Sequence, residues 1–223
     1  MSYPIDFMGR TIIVTRDVEL DFTGGEGPIA AKYLNLKEGD TFFDVGAAWA
    51  MWTLYGLSQG AFVYSFEPSP IHYDRLVEFV RANEGYMDRC RVLRVALDKE
   101  EGTKTLNHWY DAHGSGGERT EDCFVPTLFR TIDSFMPDLM SLDCIKIDVE
   151  GGEYDVLLGG LRAIKEFRPR LIIENHLHVA NIGDWMVNNS ILQKMYTLIL
   201  ELGYKIFEEP HQGRSFIIAD MAL

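Results

Sequence analysis

The chain has 223 residues, 47% hydrophobic and 25% charged, which suits one folded domain with a sizeable core and argues against disorder. Lys and Arg number 21 against 34 Asp and Glu, a formal net charge of −13 that repels nucleic-acid phosphates and anionic lipid headgroups. The three cysteines, Cys90, Cys123 and Cys144, are widely spaced without a CxxC pair, so neither a disulfide framework nor a zinc centre is expected.

Such cysteine usage suits a reducing cytosol, and the first residues, Met1 to Asp6, lack the charged-then-apolar pattern of a secretion signal. A cytoplasmic protein with no membrane and no nucleic-acid partner is the expectation. In chain order, Thr11 to Val14 predicts a strand, Phe22 to Pro28 a Gly-rich loop, and Ile29 to Leu36 a helix stopped near Gly39. Residues 1–36 are read as an N-terminal cap on a main domain spanning residues 37–223.

From Thr41 the pattern becomes regular. Strands are predicted at Thr41 to Val45, Phe62 to Phe66, within Cys90 to Leu97, at Cys144 to Val149 and at Arg170 to Glu174. Helices are predicted at Ala48 to Ser58, at Ile71 to Asn83, and at Tyr154 to Phe167 with a break at Gly159-Gly160. This alternation predicts a Rossmann-like α/β fold with a doubly wound, mostly parallel sheet. Its strands are nearly continuous in apolar residues, as strands covered on both faces should be. After the helix Ser190 to Leu202, the segments Tyr204 to Phe207 and Ser215 to Ala219 read as an antiparallel edge pair joined through Glu208 to Arg214. Asn107 to Pro126 reads as one irregular stretch, either a lid-like binding loop or disordered.

In an open parallel sheet, ligands sit beyond the carboxyl ends of the strands. Asp44-Val45-Gly46-Ala47-Ala48-Trp49-Ala50 follows the first of these strands. Gly46 suits a tight turn and close backbone approach, Asp44 is placed to accept from an ammonium group, and the next helix offers N–H groups to a carboxylate. Glu67, at the end of the second strand, suits a ribose diol, and Asp98, after the third, lies near an adenine position. Ammonium, carboxylate and nucleoside without phosphate together describe S-adenosylmethionine. A dinucleotide competes poorly: its fingerprint wants glycines where Ala48 and Met51 stand, and Trp49 and Trp52 crowd a pyrophosphate.

Two clusters lie on the acceptor side. In Ile145-Lys146-Ile147-Asp148-Val149-Glu150-Gly151-Gly152-Glu153, strand alternation points Lys146 and Asp148 to one side. Asp148 and Glu150 are candidates to activate an acceptor hydroxyl or amine, while Glu153 reads as favouring the next helix's N-terminus. In Glu174-Asn175-His176-Leu177-His178, His176 is a candidate general base and His178 a loop histidine. Asp148, Glu174 and His176 form one candidate set of ligands for magnesium or manganese. His108 and His113 are weaker candidates for substrate contact, Trp109-Tyr110 fits lid packing equally well, and the apolar positions of Met186 to Leu202 read as core.

These segments resemble the FkbM family of methyltransferases. The resemblance rests on Gly39-Asp40-Thr41-Phe42-Phe43-Asp44-Val45-Gly46-Ala47, Phe66-Glu67-Pro68-Ser69-Pro70, Val95-Ala96-Leu97-Asp98, Thr131-Ile132-Asp133, Lys146 to Glu153, Val156-Leu157-Leu158-Gly159 and Pro169 to His176. It implies a class I S-adenosylmethionine-dependent methyltransferase acting on a small-molecule or natural-product acceptor, most often at a hydroxyl. Cofactor contacts are then expected at Asp44, Gly46, Ala47 and Ala48, at Glu67, Pro68 and Ser69, and at Ala96, Leu97 and Asp98. The acceptor is expected near Asp148, Glu150 and Glu174. The family usually carries Asn at the position of Ala48 and Gly at that of Ala50. The ends of the fourth and fifth strands also resemble catechol-type O-methyltransferases, which implies a metal at Asp148, Glu174 and Asn175. A non-catalytic nucleoside-binding module and an NAD-dependent oxidoreductase are the alternatives.

Overall fold

A computed structural model describes residues 2–15, 22–109, 122–176 and 185–221, with backbone alone described for 107–109, 122–123 and 185–189. The chain begins with an antiparallel hairpin, β1 (Ser2–Phe7) and β2 (Arg10–Thr15). Sequence reading finds β2 but misses β1, whose residues alternate between half-buried and exposed and present no apolar run. The hairpin packs on the body of the protein. Ile12 and Val14 are buried, and Phe7 meets Phe22 and Tyr55 edge-on at 5.1 and 5.0 Å. The Asn83 side chain accepts from the Ile13 amide at 2.8 Å and donates to the Ile13 carbonyl at 3.0 Å, fastening the hairpin to the end of a later helix.

After α1 (Gly27–Tyr33) come β3 (Thr41–Val45), α2 (Met51–Ser58), β4 (Phe62–Phe66), α3 (Pro70–Ala82) and β5 (Cys90–Leu93). A short β6 (Ala96–Leu97) leads to β7 (Gly102–Trp109) and β8 (Asp122–Arg130), then to a 3-10 turn at Ile132–Asp138. The chain continues through β9 (Cys144–Ile147), α4 (Glu153–Leu158), α5 (Leu161–Phe167), β10 (Arg170–Glu174), α6 (Trp185–Glu201), β11 (Lys205–His211) and β12 (Arg214–Asp220).

The main sheet has seven strands in the order β11-β12-β10-β9-β3-β4-β5. Pairings among β10, β9, β3, β4 and β5 are parallel, and β12 runs antiparallel to both β10 and β11. This is the expected doubly wound sheet. The C-terminal pair turns at Gln212 and Gly213 (φ 49 and 79), the geometry of a tight two-residue hairpin, so its strands are longer than the sequence suggests.

Alternating side chains send Phe42 and Cys144 into one core with α1, α2, α3 and the hairpin. Phe43, Ile145 and Ile147 enter a second core with α4, α5 and α6. Two predicted segments are redrawn. Cys90 to Leu97 is two strands, because β6 leaves the main sheet to pair with β8. Residues 107–109 and 122–126 belong to the antiparallel β7–β8 ladder, so the predicted irregular stretch is shorter than read; residues 110–121, with His113, lie outside the described residues. Among the described residues, no helix is long and apolar enough to cross a membrane.

The break at Gly159-Gly160 has a packing cause. A Cβ on Gly159 would lie 2.1 Å from the Asp98 carbonyl oxygen, and one on Gly160 would lie 2.9 Å from Ile132 Cδ1. Asp133 accepts from the Arg162 and Ala163 amides at 3.2 and 2.8 Å, capping α5 from outside the helix.

Candidate functional site

The chain winds outward from β3 through β4 to β5, then returns to place β9 on the other side of β3. That reversal falls at the carboxyl ends of β3 and β9, the place where open parallel sheets hold ligands. The loop leaving β3 is stitched to its neighbours. The Gly46 and Ala47 amides both donate to the Phe66 carbonyl, at 3.0 and 3.1 Å, and the Asp148 amide donates to the Val45 carbonyl at 3.0 Å. Gly46 has φ +80, and a Cβ there would sit 1.7 Å from the Asp148 carbonyl oxygen. The close approach that requires glycine is therefore to the chain's own backbone. Ala48 (φ 37) and Ala50 (φ 69) also occupy the left-handed region. These are the two positions where the resemblance implies Asn and Gly, residues that reach that region at lower cost.

Glu67, at the end of β4, is 4% exposed. One carboxylate oxygen accepts from the Ala48 amide at 2.9 Å and the other from the Ser69 amide at 2.8 Å. Burial pushes its carboxyl up to about 7, against the pull of those two amides. Each oxygen keeps a lone pair for a further donor, which fits a diol. Trp49 covers this corner, 5.2 Å from the His72 ring and 4.6 Å from the Arg75 guanidinium.

Asp44 lies near the end of β3. Its side chain is fully buried, accepting from the Thr53 hydroxyl at 2.6 Å and lying 3.6 Å from Lys146 Nζ. The oxygen nearer Lys146, Oδ1, is buried without a hydrogen-bond partner. Lys146, itself 2% exposed, also donates to the Gly46 carbonyl at 2.8 Å and pairs with Asp148 at 3.1 Å. Burial opposes its charge, but Asp148 and Asp44 outweigh burial and hold the proton more firmly than usual.

Past the end of β10, His176 gathers four carboxylates. Its Nδ1 lies 3.1 Å from Glu153 Oε1; its Nε2 lies 3.6 Å from Asp148, 3.5 Å from Glu150 and 3.5 Å from Glu174. Burial lowers its basicity, but the Glu153 hydrogen bond and the Asp148, Glu150 and Glu174 charges raise it to about 9. Set among these carboxylates, the ring holds its proton more firmly than a free imidazole does. Burial beside Asp148 pushes Glu174 up to about 8. Arg214, from β12, reaches Glu174 at 3.3 Å and Glu26 at 3.0 Å, and Glu26 also accepts from the Trp52 indole.

One atom from each of Asp148, Glu174 and His176 lies within 4.8 Å of the others, a donor set able to hold a divalent cation. The Glu174 carboxylate has one oxygen, Oε2, buried without a hydrogen-bond partner, which fits such a group.

Residues 44–206 match the Methyltransferase FkbM domain family. The chain belongs to the FkbM methyltransferase family. A solved FkbM methyltransferase from Methylobacillus flagellatus KT is similar at 22% identity and TM-score 0.56, over 85% of this chain but 45% of that one. The chain therefore spans less than half the length of that relative. Two further solved structures share the fold. Aeropyrum pernix fibrillarin, in complex with natively bound S-adenosyl-L-methionine, has 11% identity and TM-score 0.51 over 82% of this chain and 67% of its own. A putative caffeoyl-CoA O-methyltransferase from Staphylococcus aureus has 10% identity and TM-score 0.52 over 81% and 76%. No curated protein matches the sequence.

In this FkbM chain, Gly46, Ala47 and Ala48 form the loop over Glu67, and Ser69 caps α3 while donating its amide to Glu67. Pro68, Ala96 and Leu97 are half-buried to buried at neighbouring strand ends. Asp98 follows β6. Its carboxylate pairs with Lys104 and accepts from the Lys99 amide at 2.5 Å. Asp148, Glu150, Glu174 and His176 are brought together as expected, and the backbone N–H of Asn175, a buried residue, donates to the Ser215 carbonyl at 2.8 Å. Glu153 does open α4, and in addition its carboxylate accepts from the Gly151 amide at 2.9 Å and holds His176. His178 lies outside the described residues. The sequence places Lys146 on the side of Asp148 without showing its ion pairs, and it does not single out Glu26 or Arg214. Lys146 carried a signal, being a lone cation in a strand apolar on both faces, which must find carboxylates. Glu26 and Arg214 come from distant segments and carried none.

Proposed function

We propose that the chain binds S-adenosylmethionine over the Gly46 loop and Glu67 and transfers its methyl group to a hydroxyl of a small-molecule acceptor. The observation that carries this reading is the meeting, at one switch point, of a buried diol-accepting carboxylate on β4 with the acidic cluster on β9 and β10. Family membership and the fold shared with a fibrillarin that holds S-adenosyl-L-methionine support it. Bound there, the cofactor supplies a methyl group on a cationic sulfur. The protein's part is alignment of an in-line displacement, exclusion of water and proton acceptance. Asp148 and Glu150 are the proton acceptors in this reading, with His176 orienting both. The charge of −13 supports a small acceptor rather than nucleic acid, and the location is proposed as cytoplasmic.

The test is calorimetry with S-adenosylmethionine and S-adenosylhomocysteine, followed by methyl transfer to a panel of hydroxylated acceptors. Turnover that survives Asp148→Ala removes Asp148 from its role. Donor binding without turnover on any acceptor favours the non-catalytic alternative.

The donor set of Asp148, Glu174 and His176, with Asn175 alongside, supports a second, metal-assisted reading. A divalent cation held there would polarise the acceptor oxygen. Titration with magnesium or manganese alone and the rate in the presence of EDTA test it: binding heat and a rate lost to EDTA support the metal, and no heat with an unchanged rate rejects it.

A further inference from the structure

Lys146 is buried in β9, a strand apolar on both faces, where a methionine would fill the same space without desolvating a charge. Its ammonium has three N–H groups and three oxygens around it: the Gly46 carbonyl at 2.8 Å, Asp148 at 3.1 Å and Asp44 at 3.6 Å. Two of those oxygens belong to β3 and its loop, and the third to the end of β9. The ammonium therefore spans the reversal between the two strands. The backbone contact it spans is the tight one, where only hydrogen on Gly46 Cα clears the Asp148 carbonyl.

We propose that Lys146 is a positioning residue that locks the Gly46–Ala50 loop against the end of β9, and so fixes where the methyl donor lies relative to Asp148. It acts through Gly46 and Asp148, and it needs no contact with donor or acceptor. The loop it holds is itself under tension, because Ala48 and Ala50 both sit in left-handed conformations that a looser loop would leave. The inference rests on the donor reading above.

The experiment compares wild type with Lys146→Met, and with the double variant Asp44→Asn/Lys146→Met, which removes the buried carboxylate that the single variant leaves uncompensated. Thermal unfolding establishes which variants fold. Calorimetry with S-adenosylhomocysteine and hydrogen exchange of the amides of residues 46–50 are then read on the folded ones. Loss of one hydrogen bond from a charged donor predicts affinity weaker by about tenfold or more. Exchange should quicken in residues 46–50 and stay unchanged in β10 and β12. A folded variant with affinity within about threefold of wild type and unchanged loop exchange overturns the proposal alone. Wild type that takes up no S-adenosylhomocysteine overturns the donor reading, and this inference with it.

Discussion

Replacing Gly46 with alanine tests how tightly the two halves of the sheet meet. The new methyl would stand 1.7 Å from the Asp148 carbonyl oxygen and 2.9 Å from its carbon, both backbone atoms that cannot swing aside. Relief requires β3 and β9 to part at their carboxyl ends. The hydrogen bond from the Asp148 amide to Val45 and the one from Lys146 to Gly46 span that gap. Losing them costs about 1 and about 2 kcal/mol, the second being charged. The left-handed backbone at φ +80 adds about 1–2 kcal/mol for a residue with a Cβ. The total, about 4–5 kcal/mol, corresponds to a fall in Tm of roughly 10–20 °C for a chain of this size. Thermal unfolding followed by circular dichroism measures it. A Tm within about 3 °C of wild type would mean that the β3–β9 contact is loose, and the reasoning would fail.

Three further outcomes are expected. Gly159→Ala, at an ordinary φ of −72 but with a methyl 2.1 Å from the Asp98 carbonyl, should lose about 1–3 kcal/mol by overpacking alone, read as a Tm drop smaller than that of Gly46→Ala. Glu67 holds its proton more tightly folded than unfolded, so wild-type stability should fall relative to Glu67→Gln as pH rises from 4.5 through about 7, while S-adenosylhomocysteine affinity rises over the upper part of that window in wild type only. His176, raised from 6.5 to about 9, stabilises the fold fully below 6.5 and loses that contribution as pH rises through about 9; the Tm advantage of wild type over His176→Gln should shrink across that range, and an advantage that grows instead would contradict the ion cluster.

The regular centre of the fold was legible because its strands are apolar on both faces and alternate with helices after short turns. β10 matches its predicted span, and β9 and α3 fall within two residues of theirs. β1 was hidden because its side chains alternate against solvent, and the β7–β8 ladder because Phe124 and Leu128 point outward on polar neighbours. At the site, spacing was enough to bring Asp148, Glu174 and His176 together, since adjacent parallel strand ends must converge. It was not enough to reveal the lysine partners of Asp44 and Asp98. Each carboxylate was taken by a lysine, Lys146 from the neighbouring strand and Lys104 from a later one, and such pairings depend on register.

Calorimetry of the wild-type chain with S-adenosylhomocysteine, paired with its thermal shift, bears most directly on the proposed donor site. Binding of one molecule per chain is predicted, with a rise in Tm of about 5–10 °C at a hundred times Kd. Absence of both heat and shift near neutral pH would contradict a nucleoside held between the Gly46 loop and Glu67.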